Sequence, residues 1–306
     1  MELLPWQSKG GLGNFVSASS VVPVNDLKGP KPSSYAEGET QLRCKLAALY
    51  RLVELCGWSH GIYNHISARV DGKDEHFLLN PFGMMYSEMT ASSLVKVDLE
   101  GKVVGQSSSP FSVNLAGWTL HSAIHGARQD IKCIIHLHPP AAVAVSSMKS
   151  GMLPLCQEAL TLGDISYHDY QGIVINSEEK KQLVKNLGPT NKVMMLRNHG
   201  FVACGETIEE AFHYTFNTLA ACEQQIKAVQ AGLDNVHIPK ADGAVTQNHL
   251  LAMQGVGGSD SQGTKWKRGE LEFEALMRAL DNMGYRTGYD FKLLPVAKKN
   301  GTSSSV

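Results

Sequence analysis

Apolar positions along the chain fall into blocks of two periods, and each change of period marks an element. In "SYAEGETQLRCKLAALYRLVELCGW", Leu42, Leu46, Leu49, Val53 and Cys56 recur at helical spacing and Gly57 supplies a stop, which predicts one helix. The period then shortens to two. "YNHISARVDGKDEHFLLNPFG" alternates about a "DG" turn and predicts a hairpin, and "LVKVDLEGKVVGQ" repeats the pattern with "EG" as its turn. "LAGWTLHSAIHGARQD" returns to helical spacing, with Leu115, Trp118, His121, Ala123 and Ile124 on one broad stripe. "KCIIHLH" predicts a short buried strand that "PP" terminates.

A second round follows. "MLPLCQEAL", "GDISYHDYQG" and "KVMMLRNHGFVACG" predict short helix or strand segments, and "EEKKQLVKNLG" a helix closed by Gly188. "ETIEEAFHYTFNTLAACEQQIKAVQAG" carries the strongest helical pattern, with Thr207 and Glu210 spaced as a capping box and Gly232 behind it. "WKRGELEFEALMRALDNMGYRTGYDF" predicts a last amphipathic helix with Leu271, Phe273, Leu276, Met277 and Leu280 on its stripe. That stripe either packs back onto the domain or serves assembly. Mixed strands and helices with a hairpin-rich start predict an α/β domain, a central sheet covered by helices. Composition divides the chain into a disordered arm (1–34), the domain (35–240), a flexible Gly- and Ser-rich linker (241–265), and a C-terminal helix and tail (266–306).

The chain of 306 residues, 43% hydrophobic and 19% charged, has the composition of a soluble globular protein with a substantial core. Its net charge of -1 gives no bulk attraction to nucleic acid or to an acidic membrane face. Six cysteines lie scattered, with no C-x-x-C pair, and read as buried thiols of a reducing compartment. The start "MELLPWQSKGGLGNFVSASS" lacks the basic and apolar regions of a secretory signal, so a cytoplasmic location is expected.

Residues two apart on a strand share a face, so His136 and His138 of "CIIHLHPP" are presented together. His199 ends the strand "VMMLRNHG" in the same manner. Three imidazoles at strand ends suit Zn²⁺ or a similar divalent ion with an open coordination position. The alternative is a set of strand-end histidines satisfied by backbone carbonyls. The other histidines, among them His60, His65, His121 and His125, read as surface or core residues.

"NHISARV…FLLNPFGMMYSEMTASSLVKVDLEG", "HSAIHGARQDIKCIIHLH", "ISYHDYQG" and "LRNHGFVACGETIEEAFHYTFN" together resemble the class II aldolase/adducin family over roughly residues 35 to 235. "KWKRGELEFEALMRALDNMGYRTGY" extends the resemblance toward the adducin head domain. The resemblance implies a three-layer α/β/α domain on a mostly antiparallel central sheet. It also implies that His136, His138 and His199 match the family's zinc-binding histidines.

The aldolases of this family polarise a ketone oxygen with zinc and move a proton with a nearby carboxylate. Aligned on Trp118, that carboxylate's position holds Gly117, while Leu115 and Ala116 replace phosphate-binding hydroxyls. The early Gly-Asn phosphate contact aligns with Asn64-His65, and only Gly83 survives from the second phosphate loop. These departures argue against aldolase activity. An alternative zinc-dependent aldolase or lyase on a small hydroxycarbonyl compound would need another acid, for which Glu158, Tyr167 and Tyr170 are candidates, with Asp164 and Asp169 beside them.

Resemblance to adducin implies a non-enzymatic protein of the cytoskeleton. It implies association with actin filaments, spectrin and other adducin subunits, and oligomers on the cytoplasmic side of the plasma membrane. The adducin pattern continues into a neck and a lysine-rich tail, whereas this sequence ends "LPVAKKNGTSSSV" with Lys298 and Lys299. Head-type assembly is therefore the expectation, rather than direct filament capping.

Overall fold

The computed structural model describes residues 21–27, 35, 38–170, 172, 177–239 and 264–293. Nearly all of the expected linker, and the tail beyond residue 293, lie outside these residues. Seven strands form one sheet: β1 (His65–Val70), β2 (His76–Leu79), β3 (Val95–Val97), β4 (Cys133–Leu137), β5 (Ile165–His168), β6 (Val193–Leu196) and β7 (Gly200–Gly205). Their order is β3-β2-β1-β4-β7-β6-β5. Every neighbouring pair is antiparallel except β5 and β6, which run parallel. The mostly antiparallel sheet that the family resemblance implied is the one found.

Alternation along the strands sends side chains to two helical layers. Cys133, Ile135 and Leu137 of β4 join the core under α1 (Glu39–Leu55), α3 (Pro140–Ser147) and α6 (Ile208–Val229). Ile134, between them, meets Leu120 and Ile124 of α2 (Leu115–Ala127) and Leu183 and Leu187 of α5 (Ser177–Leu187). A short α4 (Gln157–Thr161) lies against α6. Three layers result, as the resemblance implied.

Local chemistry sets the element ends. Asn114 caps α2 by accepting from Gly117 N at 3.2 Å, and Thr207 caps α6 by accepting from Glu210 N at 3.0 Å. The expected reciprocal bond is displaced by one residue, because the Glu210 carboxylate accepts from Glu206 N at 2.7 Å. Pro139 and Pro140 stop β4 as expected, and Pro140 then opens α3. The second predicted hairpin is reduced to β3 and a single bridge, Val97 to Val103, around Gly101 in the left-handed region at φ 87°. Leu115 does not join the α2 stripe. It is 59% exposed, since the helix begins at its own residue and buries the face that carries Trp118 and His121.

Both chain flanks contribute to the main core. Residues 21–27, expected to belong to a disordered arm, run extended between the domain and its C-terminal segment. Val24 is fully buried, its N donates to Tyr285 O at 2.7 Å, and its carbonyl accepts from Ala91 N at 2.8 Å. One buried valine and paired backbone groups order a stretch whose composition looked loose. The last helix, α7 (Glu270–Asn282), packs back on α1 and α6. Phe273, Met277 and Leu280 are fully buried, with the Phe273 ring 5.7 Å from Phe212, while Leu271 remains exposed. Buried Glu274 accepts from Lys292 N at 2.8 Å and Leu293 N at 3.1 Å, tying the following segment to α7.

Candidate metal centre

His136 is the last residue but one of β4 and His138 directly follows the strand, so both leave the same face of the sheet while Leu137 enters the core. His199 comes from the tight turn between β6 and β7. That turn holds Asn198 in the left-handed region at φ 58°, and Gly200 beside it approaches the Leu137 carbonyl so closely that a β-carbon there would clash. This close approach sets His199 against His138, their ring centroids 4.2 Å apart. One ring nitrogen from each of His136, His138 and His199 can be chosen so that all lie within 4.8 Å of one another.

The donor set fits a divalent ion. His136 Nδ1 donates to Phe201 O at 2.9 Å, which leaves its Nε2 unprotonated and aimed at His138 Nε2, 2.7 Å away. Burial, with the neighbouring imidazoles, holds His136 well below the ordinary histidine range. The same causes push His138 down to about 3, and burial lowers His199. Neutral imidazoles are the ligating form, so binding an ion here requires no proton to be stripped at neutral pH.

The three histidines open onto a cleft of about 560 Å³ that is also lined by His60, Tyr63, His65, Asn114, Ala116, Gly117 and Tyr170. None of the described residues lining it is a carboxylate, a lysine or an arginine. Gly117 is buried, and its neighbour explains why no side chain stands there. A β-carbon on Gly117 would lie 2.6 Å from His65 Nε2. Of the phosphate-binding features only Gly83 is kept among the described residues. Ala116 lines the cleft, Leu115 points to solvent, and a β-carbon on Gly83 would sit 3.2 Å from the Phe111 ring. Asn64 is buried and turned into its own loop, accepting from His60 N at 2.6 Å.

The alternative acids are dispersed. Tyr170 reaches the cleft and stacks on His199 at 4.3 Å, its hydroxyl pushed up to about 12 by burial. Tyr167 points elsewhere: its hydroxyl accepts from Met152 N at 2.9 Å and its ring lies under the Arg197 guanidinium. Glu158 lies in the first turn of α4, a helix that packs on α6, and is not among the residues that line the cleft. Asp164 and Asp169 do not line it either.

A second histidine group adjoins the first and was not singled out from the sequence. His65 pairs with His136 across β1 and β4, and its ring lies 4.9 Å from the His136 ring. Behind it, His65 Nδ1 is 2.7 Å from His121 Nε2, and Ser67 Oγ lies 2.6 Å from His121 Nδ1 and 2.9 Å from His125 Nε2. The signal was available: His65 and Ser67 share a strand face, and His121 and His125 a helix face four residues apart.

Residues 44–226 match the family described as "Class II Aldolase and Adducin N-terminal domain". Alpha-adducin of Mus musculus is 50% identical over 305 residues, covering 99% of this chain and 41% of its own length. Gamma-adducin of Homo sapiens is 48% identical over 294 residues, covering 95% of this chain and 42% of its own. The chain thus spans about two fifths of the length of these relatives. Among solved structures, an aldolase II superfamily protein from Pseudomonas syringae superposes with a TM-score of 0.74 at 37% identity, over 83% of this chain and 97% of that one.

Proposed function

The chain belongs to the class II aldolase and adducin family, and from that premise we propose that it is a non-enzymatic, adducin-type head. In this reading it assembles with other adducin subunits and associates with actin filaments and spectrin on the cytoplasmic side of the plasma membrane. Support comes from the extent of the similarity, which runs through the C-terminal helix to nearly the whole chain. Among the described residues no helix is long and apolar enough to cross a membrane, in keeping with a peripheral position. The observation that carries the non-enzymatic part is the pair Gly117 and His65, because an imidazole fills the space where the aldolase pattern starts its acid.

His136, His138 and His199 would hold a zinc ion, which when bound supplies a Lewis acid for a ligand oxygen. Around it the described lining offers no carboxylate to move a proton to carbon and no cation to hold a phosphate. Losing a general base alone costs about 10²–10⁴ in rate. The ion in this reading is a retained feature of the sheet ends.

Co-sedimentation with filamentous actin and spectrin tests the proposal, using the chain alone and mixed with full-length alpha-adducin. Pelleting or co-assembly in the mixture is expected. Absence of both removes the cytoskeletal reading.

A second reading, a zinc-dependent aldolase or lyase on a small hydroxycarbonyl compound, is favoured by the histidine triad and by Tyr170 beside it. Turnover by zinc-loaded protein that His138→Ala abolishes would establish it in place of the first.

A further inference from the structure

The histidine network behind the cleft has one consistent arrangement of protons, and it can be read from its closed end. The Ile131 carbonyl only accepts, so His125 Nδ1, 3.1 Å away, donates to it. The lone pair of His125 Nε2 then takes the Ser67 hydroxyl proton at 2.9 Å. With that proton spent, Ser67 Oγ accepts from His121 Nδ1 at 2.6 Å. His121 Nε2 is therefore bare and accepts from His65 Nδ1 at 2.7 Å. The series ends at His65 Nε2, an unprotonated nitrogen set against Gly117, and both residues line the cleft.

The two inner imidazoles, His121 and His125, must be neutral for this reading, and the surroundings keep them so; at His65 the proton on Nδ1 follows from the bare His121 Nε2 beside it. Burial first, and then neighbouring imidazoles, holds His121 well below the usual range. His125 is pushed down to about 3 by burial and by the Arg69 charge. The Arg69 guanidinium donates to the His125 carbonyl at 2.6 Å. A proton passed inward from His65 would arrive beside that cation, so the network stores no proton and presents a fixed acceptor.

We propose that His65 Nε2 is the specificity-determining acceptor of the cleft, selecting small carboxylates that bear a hydroxyl over those that do not. The inference rests on the zinc reading given above. Three neutral imidazoles leave the charge of a divalent ion uncompensated, and no described lining residue is acidic, so the ligand supplies the anionic oxygen. A ligand hydroxyl supplies the donor that His65 lacks, since no described side chain donates to its Nε2. Ser67, His121 and His125 are positioning residues that fix the His65 tautomer.

Glycolate and propionate, equal in heavy atoms and differing in the hydroxyl, are the probes, titrated calorimetrically into zinc-loaded protein. Glycolate is expected to bind more tightly, partly by chelating zinc, and His65→Phe is expected to reduce the glycolate-to-propionate ratio about tenfold, the worth of one desolvated hydrogen bond. An unchanged ratio in folded His65→Phe overturns the proposal. Should that variant fail to fold, Ser67→Ala breaks the relay instead, and the same fall in ratio is expected. Imidazole ¹⁵N shifts of the metal-free protein read the tautomer with no ligand present, and a protonated His65 Nε2 overturns the assignment. If the protein takes up no stoichiometric zinc that His138→Ala removes, the metal reading falls, and the nitrogen shifts still decide the relay.

Discussion

The imidazole of His65 stands where a side chain on residue 117 would begin, with 2.6 Å between its Nε2 and an ideal β-carbon on Gly117. The two positions are therefore coupled. A side chain at 117 and the His65 ring in this position compete for one space.

Gly117→Ala is expected to destabilise the domain by about 1–3 kcal/mol, because the new methyl overlaps a ring locked by its hydrogen bond to His121. Combined with His65→Ala, the alanine at 117 should cost little. Urea unfolding of both single variants and the double variant measures the coupling, and strict additivity would contradict it.

Metal-free protein should lose stability as the pH falls. His125 is fully buried and its pKa is pushed down to about 3, against an ordinary value of 6.5 when unfolded. Between those values the unfolded chain binds a proton that the folded one does not, so stability rises with pH there and is level above 6.5. The slope for this one group is about 1.4 kcal/mol per pH unit once the unfolded imidazole is protonated. Urea midpoints from pH 7 to pH 5 check the direction, and His125→Asn should flatten the curve.

Phe273→Ala should cost about 3–5 kcal/mol, the range for truncating a fully buried aromatic. A stripe that merely awaited a partner would tolerate the change. Loss of the whole domain's unfolding midpoint, rather than of helix α7 alone, is the expected outcome in denaturant titration followed by circular dichroism.

The four buried thiols of the native protein, Cys44, Cys133, Cys204 and Cys222, should react slowly with a disulfide reagent. Cys133 and Cys204 are fully buried, and burial pushes Cys56, Cys204 and Cys222 up to about 12. All six cysteines are free, so six equivalents should titrate in urea. Rapid labelling of more than two thiols in the folded protein would contradict the core described here.

Sequence periodicity by itself determined the principal elements and the face on which His136 and His138 emerge, because alternation along a strand is a local geometric fact. The family resemblance, aligned on Trp118, implied that the aldolase carboxylate's position holds Gly117, and glycine carries no proton whatever surrounds it. What fills that space was decided only in three dimensions. His65 and Gly117 are 52 residues apart in number (117 minus 65) and meet because β1 pairs with β4 and α2 lies over both. The proton arrangement of the network likewise depends on Ile131 offering a carbonyl at its closed end, which no pattern of residue types encodes. The order of residues 21–27, where burying one valine outweighs a composition that reads as loose, and the choice of α1 and α6 as the surface that covers the α7 stripe both rest on contacts across the fold.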